Sequence, residues 1–258
     1  MSDVHANPAA LAVAVADARG RGCSRFVLLG DITGYGYDVK SALKLVRENF
    51  DVVLMGNHDS ACLGLEPEYE VSCNRNYRVD VMQREILSED ERGWLRDRPY
   101  LHIEGEMAFV HGDFTSPAAW NYVFSIQGAI ASFFSRTERI LFCGHTHHAA
   151  AWELQGSGVV RPRLLRYLSC PAVRADTRSF ALKDGSRYVV NVGSVGHPRA
   201  DRCSTYVIYD SDIDRLTFRR LPVDLAAYAA ALDMASVDQP LWLHDAIVSM
   251  GYNPRFVK

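Results

Sequence analysis

Five short clusters of Asp, Asn and His residues follow one another along this chain, and most of them stand directly after a short apolar run. The clusters are Asp3-Val4-His5, Gly30-Asp31, Gly56-Asn57-His58-Asp59, His111-Gly112 and Gly144-His145-Thr146-His147. The apolar runs 25–29 and 51–55 enclose a helix-like stretch at 39–48. This alternation predicts parallel strands joined by crossover helices, and side chains that follow such strands gather at one edge of the sheet.

Seven side chains of these clusters are candidate metal ligands. They are Asp3, His5, Asp31, Asn57, His111, His145 and His147. Each alone has a plainer explanation, since Asp31 could cap a turn and His111 could be a structural histidine. Together, at the ends of predicted strands, they can be divided between two adjacent sites that share one carboxylate. The pattern therefore predicts a two-metal hydrolytic centre.

The composition is typical of one α/β domain spanning residues 1–258, with 48% hydrophobic and 23% charged residues. The net charge of −3 and the lack of a Lys/Arg run argue against duplex nucleic acid as a partner. No apolar run reaches the roughly 18 residues that a membrane helix needs. The six cysteines form no Cys-x-x-Cys pair, so we expect neither disulfides nor a thiolate zinc site. Because no basic-then-apolar leader precedes the first cluster either, we expect a cytoplasmic protein. Nothing in the sequence indicates an oligomeric state.

Further elements follow from periodicity and from turn residues. We expect helices at 7–20, 88–97 and 125–135, a hairpin of strands 100–104 and 107–110, a strand at 139–143, β-like runs at 149–154, 163–168, 188–192 and 203–209, and C-terminal helices at 224–235 and 240–250. The strand-rich stretch after His147 predicts a second sheet.

The order of the five clusters resembles that of the calcineurin-like metallophosphoesterase superfamily. Its pattern is Asp-x-His, Gly-Asp, Gly-Asn-His-Asp/Glu, His and Gly-His-x-His, and all five blocks are present here. The stretches Gly30-Asp31-Ile32-Thr33-Gly34-Tyr35-Gly36, Trp120-Asn121-Tyr122 and Asn191-Val192-Gly193-Ser194-Val195-Gly196-His197-Pro198-Arg199 extend the resemblance to a small bacterial phosphodiesterase-like branch. It implies a four-layer α/β/β/α sandwich of two mixed β-sheets flanked by helices.

The resemblance also implies how the ligands are shared. The first metal takes Asp3, His5, Asp31 and His147. The second takes Asp31, Asn57, His111 and His145, so that Asp31 bridges. Such ligands suit Mn²⁺, Fe or Zn²⁺, and ligand type does not choose between them; Mn²⁺ is favoured for a first test.

The implied chemistry is hydrolysis of a small phosphate ester or nucleotide, most simply a phosphodiester, by in-line attack of a hydroxide that bridges the metals. His58 follows a ligand, so we expect it to donate a proton to the leaving group. We expect Asp59 to orient its imidazole.

Substrate contacts are less determined by the sequence. Tyr35, Arg199 and Arg202 are candidates, since a guanidinium could hold a second phosphate. Other aromatics near the motifs could stack a base, although burial is the more frequent role. The alternatives to a phosphodiesterase are a diadenosine-polyphosphate hydrolase, a protein phosphatase and a non-catalytic interaction scaffold of the same fold.

One departure concerns the residues before the first cluster. Members of this superfamily usually have an apolar strand there, whereas Met1 and Ser2 alone precede Asp3. Either the given start lies inside a longer reading frame, which we expect, or the protein folds with a shortened central strand. We also expect that Asp3 and His5 lie on a fraying terminus, and that the first site then holds its metal less tightly, with fewer than two ions per chain unless metal is added.

Overall fold

Helices and strands alternate through the first half of the chain, and strands dominate the second half. The computed structural model describes residues 1–66, 77–164, 176–199 and 203–238. The helices are α1 (Pro8–Gly20), α2 (Val39–Asn49), α3 (Asn57–Leu63), α4 (Arg78–Ile86), α5 (Glu89–Arg96), α6 (Ile126–Ser135) and α7 (Leu225–Met234). The strands are β1 (Val27–Leu28), β2 (Val52–Val53), β3 (Leu101–Glu104), β4 (Met107–Val110), β5 (Ile140–Cys143), β6 (Ala150–Leu154), β7 (Val160–Leu164), β8 (Asp176–Ala181), β9 (Arg187–Asn191), β10 (Ser204–Asp210) and β11 (Arg215–Leu221).

Six strands form one mixed sheet in the order β3-β4-β5-β9-β6-β7. Its centre, β4-β5-β9, is parallel, whereas β3, β6 and β7 pair antiparallel with their neighbours. The central strand β5 is buried along its whole length, as expected for a parallel strand covered on both faces. The carboxyl ends of β4 and β5 therefore lie side by side at one edge.

The second layer is joined through the first three residues of the chain. Met1 O accepts from Leu29 N at 3.0 Å, next to the parallel pair β1-β2, and Ser2 O accepts from Val195 N at 3.0 Å. Residues 194–196 in turn reach β10, where Ser194 O accepts from Thr205 N at 2.8 Å, and β10-β11-β8 continue the layer antiparallel. Residues 1–3 are thus held on both sides. The expectation that Asp3 and His5 lie on a fraying terminus is wrong.

The two layers pack face to face, and helices cover their outer sides. Leu54, Phe142 and Phe218 belong to one apolar cluster between the layers. Because alternate strand residues point to opposite faces, Leu28 and Val53 face outward and pack with α1 and α2. On the other outer side, α6 packs on β4, β5 and β9. The predicted α/β/β/α sandwich is confirmed.

Most predicted elements match the structure within a few residues, and the 100–110 hairpin is confirmed. The predicted strand 163–168 begins earlier, as β7, and its last residues lie outside the described ranges, as does the predicted helix 240–250. The sequence interpretation missed α3, α4, β8 and β11. None of the helices described is long and apolar enough to cross a membrane.

Candidate metal centre

All seven predicted ligands converge at the carboxyl edge of the two sheets. Asp31 follows β1, Asn57 opens α3 after β2, and His111 follows β4. The side chains of Asp3, His5, Asp31, Asn57, His111, His145 and His147 are each at most 6% exposed. So many polar groups are rarely buried without partners of opposite charge.

The first group contains Asp3, His5, Asp31 and His147, and one ligand atom from each lies within 4.8 Å of all the others. His147 Nε2 is 3.1 Å from both Asp3 Oδ1 and His5 Nε2. Asp31 Oδ2 lies 3.6 Å from His5 Nε2. Two carboxylates and two imidazoles thus point at one small volume.

The second group shares Asp31 with the first. Asp31, His111 and His145 again offer atoms within 4.8 Å of one another. His111 Nε2 lies 3.3 Å from Asp31 Oδ2, 3.2 Å from His145 Nδ1 and 3.1 Å from Asn57 Oδ1. Asp31 therefore stands between the two groups, where the sequence interpretation places the bridging carboxylate.

Backbone carbonyls determine the tautomers of three histidines. The Nδ1 atoms of His5, His111 and His147 lie 2.8, 2.9 and 2.6 Å from the carbonyl oxygens of Thr33, Leu29 and His197. Because a carbonyl only accepts, each Nδ1 carries a proton and each ring turns its Nε2 inward, where a neutral ring offers a lone pair. Burial lowers the pKa of His5 and of His147, which keeps both rings neutral.

These inward lone pairs need a positive charge between them. The Nε2 atoms of His5 and His147 are both acceptors 3.1 Å apart. Among the described residues, no hydrogen-bond donor reaches the buried Asp3 Oδ1 or Asp31 Oδ2. Burial lowers the pKa of His111, but the carboxylates of Asp31, Asp3 and Asp59 together outweigh burial and raise it to about 9. The donor set therefore fits divalent cations.

Strained backbone accompanies the ligands. Asp3, His5, Asp31, His145 and His147 have φ between 47° and 64°. This left-handed region costs a non-glycine residue on the order of 1–3 kcal/mol and is concentrated at functional sites. Five of the seven ligands adopt this unfavourable backbone conformation. This indicates that the surrounding structure positions them to bind a ligand and not to stabilise the fold.

Two motif glycines allow the ligand loops to approach one another. A Cβ at Gly56 would lie 2.2 Å from Asp31 Oδ1, and one at Gly144 would lie 2.1 Å from Ser2 Oγ and 2.8 Å from Asp3 Oδ2. No side chain fits at these distances. The glycines that precede Asn57 and His145 are therefore needed because a carboxylate ligand packs against their backbone.

His58 lies beside the first group, but its orienting partner differs from the predicted one. Its Nδ1 is 2.8 Å from Oδ2 of Asp80, a fully buried residue of α4. Burial lowers the pKa of His58, but the carboxylates of Asp80, Asp31 and Asp59 together outweigh burial and raise it above its usual value. The sequence interpretation missed Asp80, which is one acidic residue in a helix that no motif marks.

Asp59, the predicted partner of His58, serves the backbone instead. Its carboxylate accepts the amide N–H groups of Asp31, Ile32, Thr33 and Gly56 at 2.9 to 3.1 Å. Asp59 is the third residue of α3, where a carboxylate favourably accepts the free amides of the first turn. Its role as orienter of His58 is therefore wrong, and it ties the Asp31 loop to α3.

A model of the calcineurin-like phosphoesterase superfamily domain matches residues 1–214. The chain belongs to this superfamily. A metallophosphoesterase of Sphaerobacter thermophilus has a similar structure, with a TM-score of 0.76 and 30% identity over 96% of this chain and 97% of that one. The fold is thus that of a calcineurin-like phosphoesterase, and the buried Asp/His groups are able to bind metal ions.

Two curated relatives extend the comparison of this phosphoesterase. An uncharacterized protein of Methanocaldococcus jannaschii is 25% identical over 239 residues, which are 87% of each chain. A symmetrical bis(5'-nucleosyl)-tetraphosphatase of Nitrosospira multiformis is 36% identical over 90 residues, which are 33% of this chain and 31% of that protein.

Of the three predicted substrate contacts of the phosphoesterase, Tyr35 and Arg199 lie within the described residues. The Tyr35 ring is half-buried, stacks on His197 at 4.3 Å and meets the edge of His5 at 4.7 Å. Burial raises the pKa of Tyr35, and the charge of Arg199 opposes that shift. Arg202 is outside the described residues.

Proposed function

We propose that this chain is a metal-dependent phosphodiesterase that hydrolyses a small phosphate ester or nucleotide. One observation carries the proposal: two groups of inward-facing ligands share Asp31, and the imidazole of His58 stands beside them with its own carboxylate partner. A site that only bound metal would have no use for that buried His58–Asp80 pair. A proton donor for the leaving group does use it.

Asp3, His5, Asp31 and His147 would hold one divalent cation, and Asp31, Asn57, His111 and His145 a second. Two such ions would supply positive charge to the phosphate oxygens and would acidify the attacking water. Imidazole, amide and carboxylate donors without thiolate suit Mn²⁺, Fe and Zn²⁺, and we propose Mn²⁺ for the first assays.

His58 supplies the proton. Because Nδ1 faces Asp80, the proton available to substrate is on Nε2, and it passes to the ester oxygen as the bond from phosphorus to that oxygen breaks. Tyr35 stacks on His197, and we propose that its phenol and the guanidinium of Arg199 contact the remaining phosphate oxygens.

The test is hydrolysis of bis(p-nitrophenyl) phosphate beside p-nitrophenyl phosphate, with Mn²⁺ and with chelator. Metal-dependent cleavage of the diester, with slower cleavage of the monoester, is expected. Preference for the monoester would point to a phosphatase. Lack of turnover of either compound by metal-loaded protein would favour the interaction scaffold.

A second candidate substrate is a dinucleoside polyphosphate. The local similarity to the Nitrosospira multiformis tetraphosphatase favours it, although that match covers 33% of this chain. Diadenosine tetraphosphate in the same assay separates the two, because faster release of nucleotide from it than from the diester would favour this candidate.

A further inference from the structure

Residues 120–124 form an irregular segment that packs tightly beside the second ligand group. A Cβ at Gly112, the residue after His111, would lie 3.1 Å from Asn121 O and 3.2 Å from Trp120 Cα. A Cβ at Gly128 in α6 would lie 3.4 Å from Val123 Cα. Glycine at 112 therefore lets the segment lie close against the ligand loop, whereas a Cβ at 128 would make only ordinary van der Waals contact with it.

Burial alternates along this segment and turns two aromatic rings outward. Val123 is 2% exposed and packs in the apolar cluster that contains Phe133, whereas Tyr122 and Phe124 are 48% and 41% exposed. Anchoring Val123 inside leaves its neighbours on the opposite side. Large apolar side chains are usually covered, so a pair of exposed rings beside a polar site suggests a contact surface.

The exposed rings begin directly at a predicted metal ligand. The Tyr122 ring stacks on His145 with centroids 4.1 Å apart and planes 4° from parallel. The Phe124 ring lies 5.3 Å from Tyr122 at 37°. The aromatic surface therefore runs outward from the second ligand group.

We propose that Tyr122 and Phe124 form a stacking platform for the planar base of a nucleotide whose phosphate occupies the ligand groups. This inference rests on the proposed function, since it needs the phosphate to be bound there. Aromatic side chains stack on any base through its π-face. The platform therefore favours nucleotides over phosphate esters of sugars or aliphatic alcohols, with little choice between bases.

The test measures the dissociation constants of AMP and of ribose 5-phosphate by calorimetry, with the Mn²⁺-loaded protein. These compounds share the phosphate and the ribose and differ in the base. AMP is expected to bind about tenfold more tightly. The variant Phe124→Ala should weaken AMP binding by about fivefold and leave ribose 5-phosphate unchanged.

Two further variants control this experiment. Phe134→Ala makes the same change at a residue of α6 that is 88% exposed and should alter neither constant. Tyr122→Phe keeps the ring and should retain the preference for AMP, with unchanged Mn²⁺ stoichiometry.

Equal binding of the two compounds, binding of neither, or an equal loss of both in Phe124→Ala would overturn the platform. Phosphodiester hydrolysis without a preference for AMP would leave the proposed function standing and remove the platform alone. A preference for AMP in a protein that hydrolyses no ester would remove the proposed function and retain the platform.

Discussion

Oδ2 of Asp80 lies 2.8 Å from Nδ1 of His58, and both side chains are buried. Asp80 comes from α4, and its other oxygen accepts from the Thr33 hydroxyl at 3.3 Å. The pair fixes the imidazole so that Nε2 is the atom left for substrate, and it stabilises the protonated ring. A carboxylate supplied by a separate helix thus prepares the residue that we propose as the acid.

Replacing His58 with alanine should slow the esters with poor leaving groups most. Positioned general acids contribute about 10²–10⁴-fold, and a p-nitrophenolate needs less help than an alkoxide. Rates for a methyl ester and a p-nitrophenyl ester should therefore fall by very different factors, while metal content stays the same. Equal slowing of both esters would contradict the role of His58.

Asp80→Asn and Asp59→Asn should have different effects, although both replace buried carboxylates. Loss of the charge at Asp80 lowers the pKa of His58, so the fall of kcat with rising pH should begin at a lower pH. Asp59→Asn weakens the acceptor for four backbone amides and should cost about 1–3 kcal/mol of unfolding free energy. A shifted pH profile in Asp59→Asn and not in Asp80→Asn would show that Asp59 orients His58, as the sequence predicts.

Divalent metal should stabilise the fold. Asp3 Oδ1 and Asp31 Oδ2 are buried without a hydrogen-bond donor in the described ranges, so a cation relieves their mutual repulsion. At a free concentration about 100 times Kd, one site adds about 2.7 kcal/mol. Melting with Mn²⁺ and with chelator measures this gain, and Asp31→Asn should abolish most of it.

The number of metal ions bound per chain shows whether the first ligand group holds its metal as firmly as the second. Because residues 1–3 are hydrogen-bonded on both sides, we expect two ions per chain after loading with Mn²⁺. Loss of one equivalent in His5→Ala and of the other in His145→Ala would assign them. If the unsubstituted protein instead binds a single ion, and that ion survives in His5→Ala but not in His145→Ala, the first group is the weaker one.

A cavity of about 540 Å³ beside Met1 should accept one more β-strand. It lies between β1 and β10, and its lining includes Phe26, Phe142 and Tyr206. A prefix of about five alternating apolar residues before Met1 can pair with both strands and should raise the melting temperature. A Gly/Ser/Pro prefix of equal length is the control. Equal melting temperatures for the two variants would show that the cavity takes no strand.

The ligand set could be predicted from the sequence because each ligand is a local feature. Asp31, Asn57 and His111 directly follow short apolar runs, and neighbouring parallel strands bring their carboxyl ends to one edge. The glycines at 56 and 144 belong to the same local pattern. Order along the chain therefore determined both the family and the convergence of the seven side chains.

Other features depended on contacts between distant parts of the chain. Arg219 interrupts the apolar pattern of β11, yet it is 2% exposed because its Nε and a terminal nitrogen each lie 2.9 Å from the Asp17 carboxylate of α1. That partner is 202 positions away, and no local pattern marks such a pair.

The ligand clusters are local sequence patterns, whereas the residues that position them come from distant parts of the chain. The Asp-x-His, Gly-Asp, Gly-Asn-His-Asp and Gly-His-x-His blocks determined by themselves which side chains form the centre, because strand ends bring them together. Only the tertiary structure decided that Asp80 rather than Asp59 orients His58, that residues 1–3 are held on both sides, and that Val123 turns two aromatic rings outward. These depend on the docking of one element against another, which a single sequence does not encode locally.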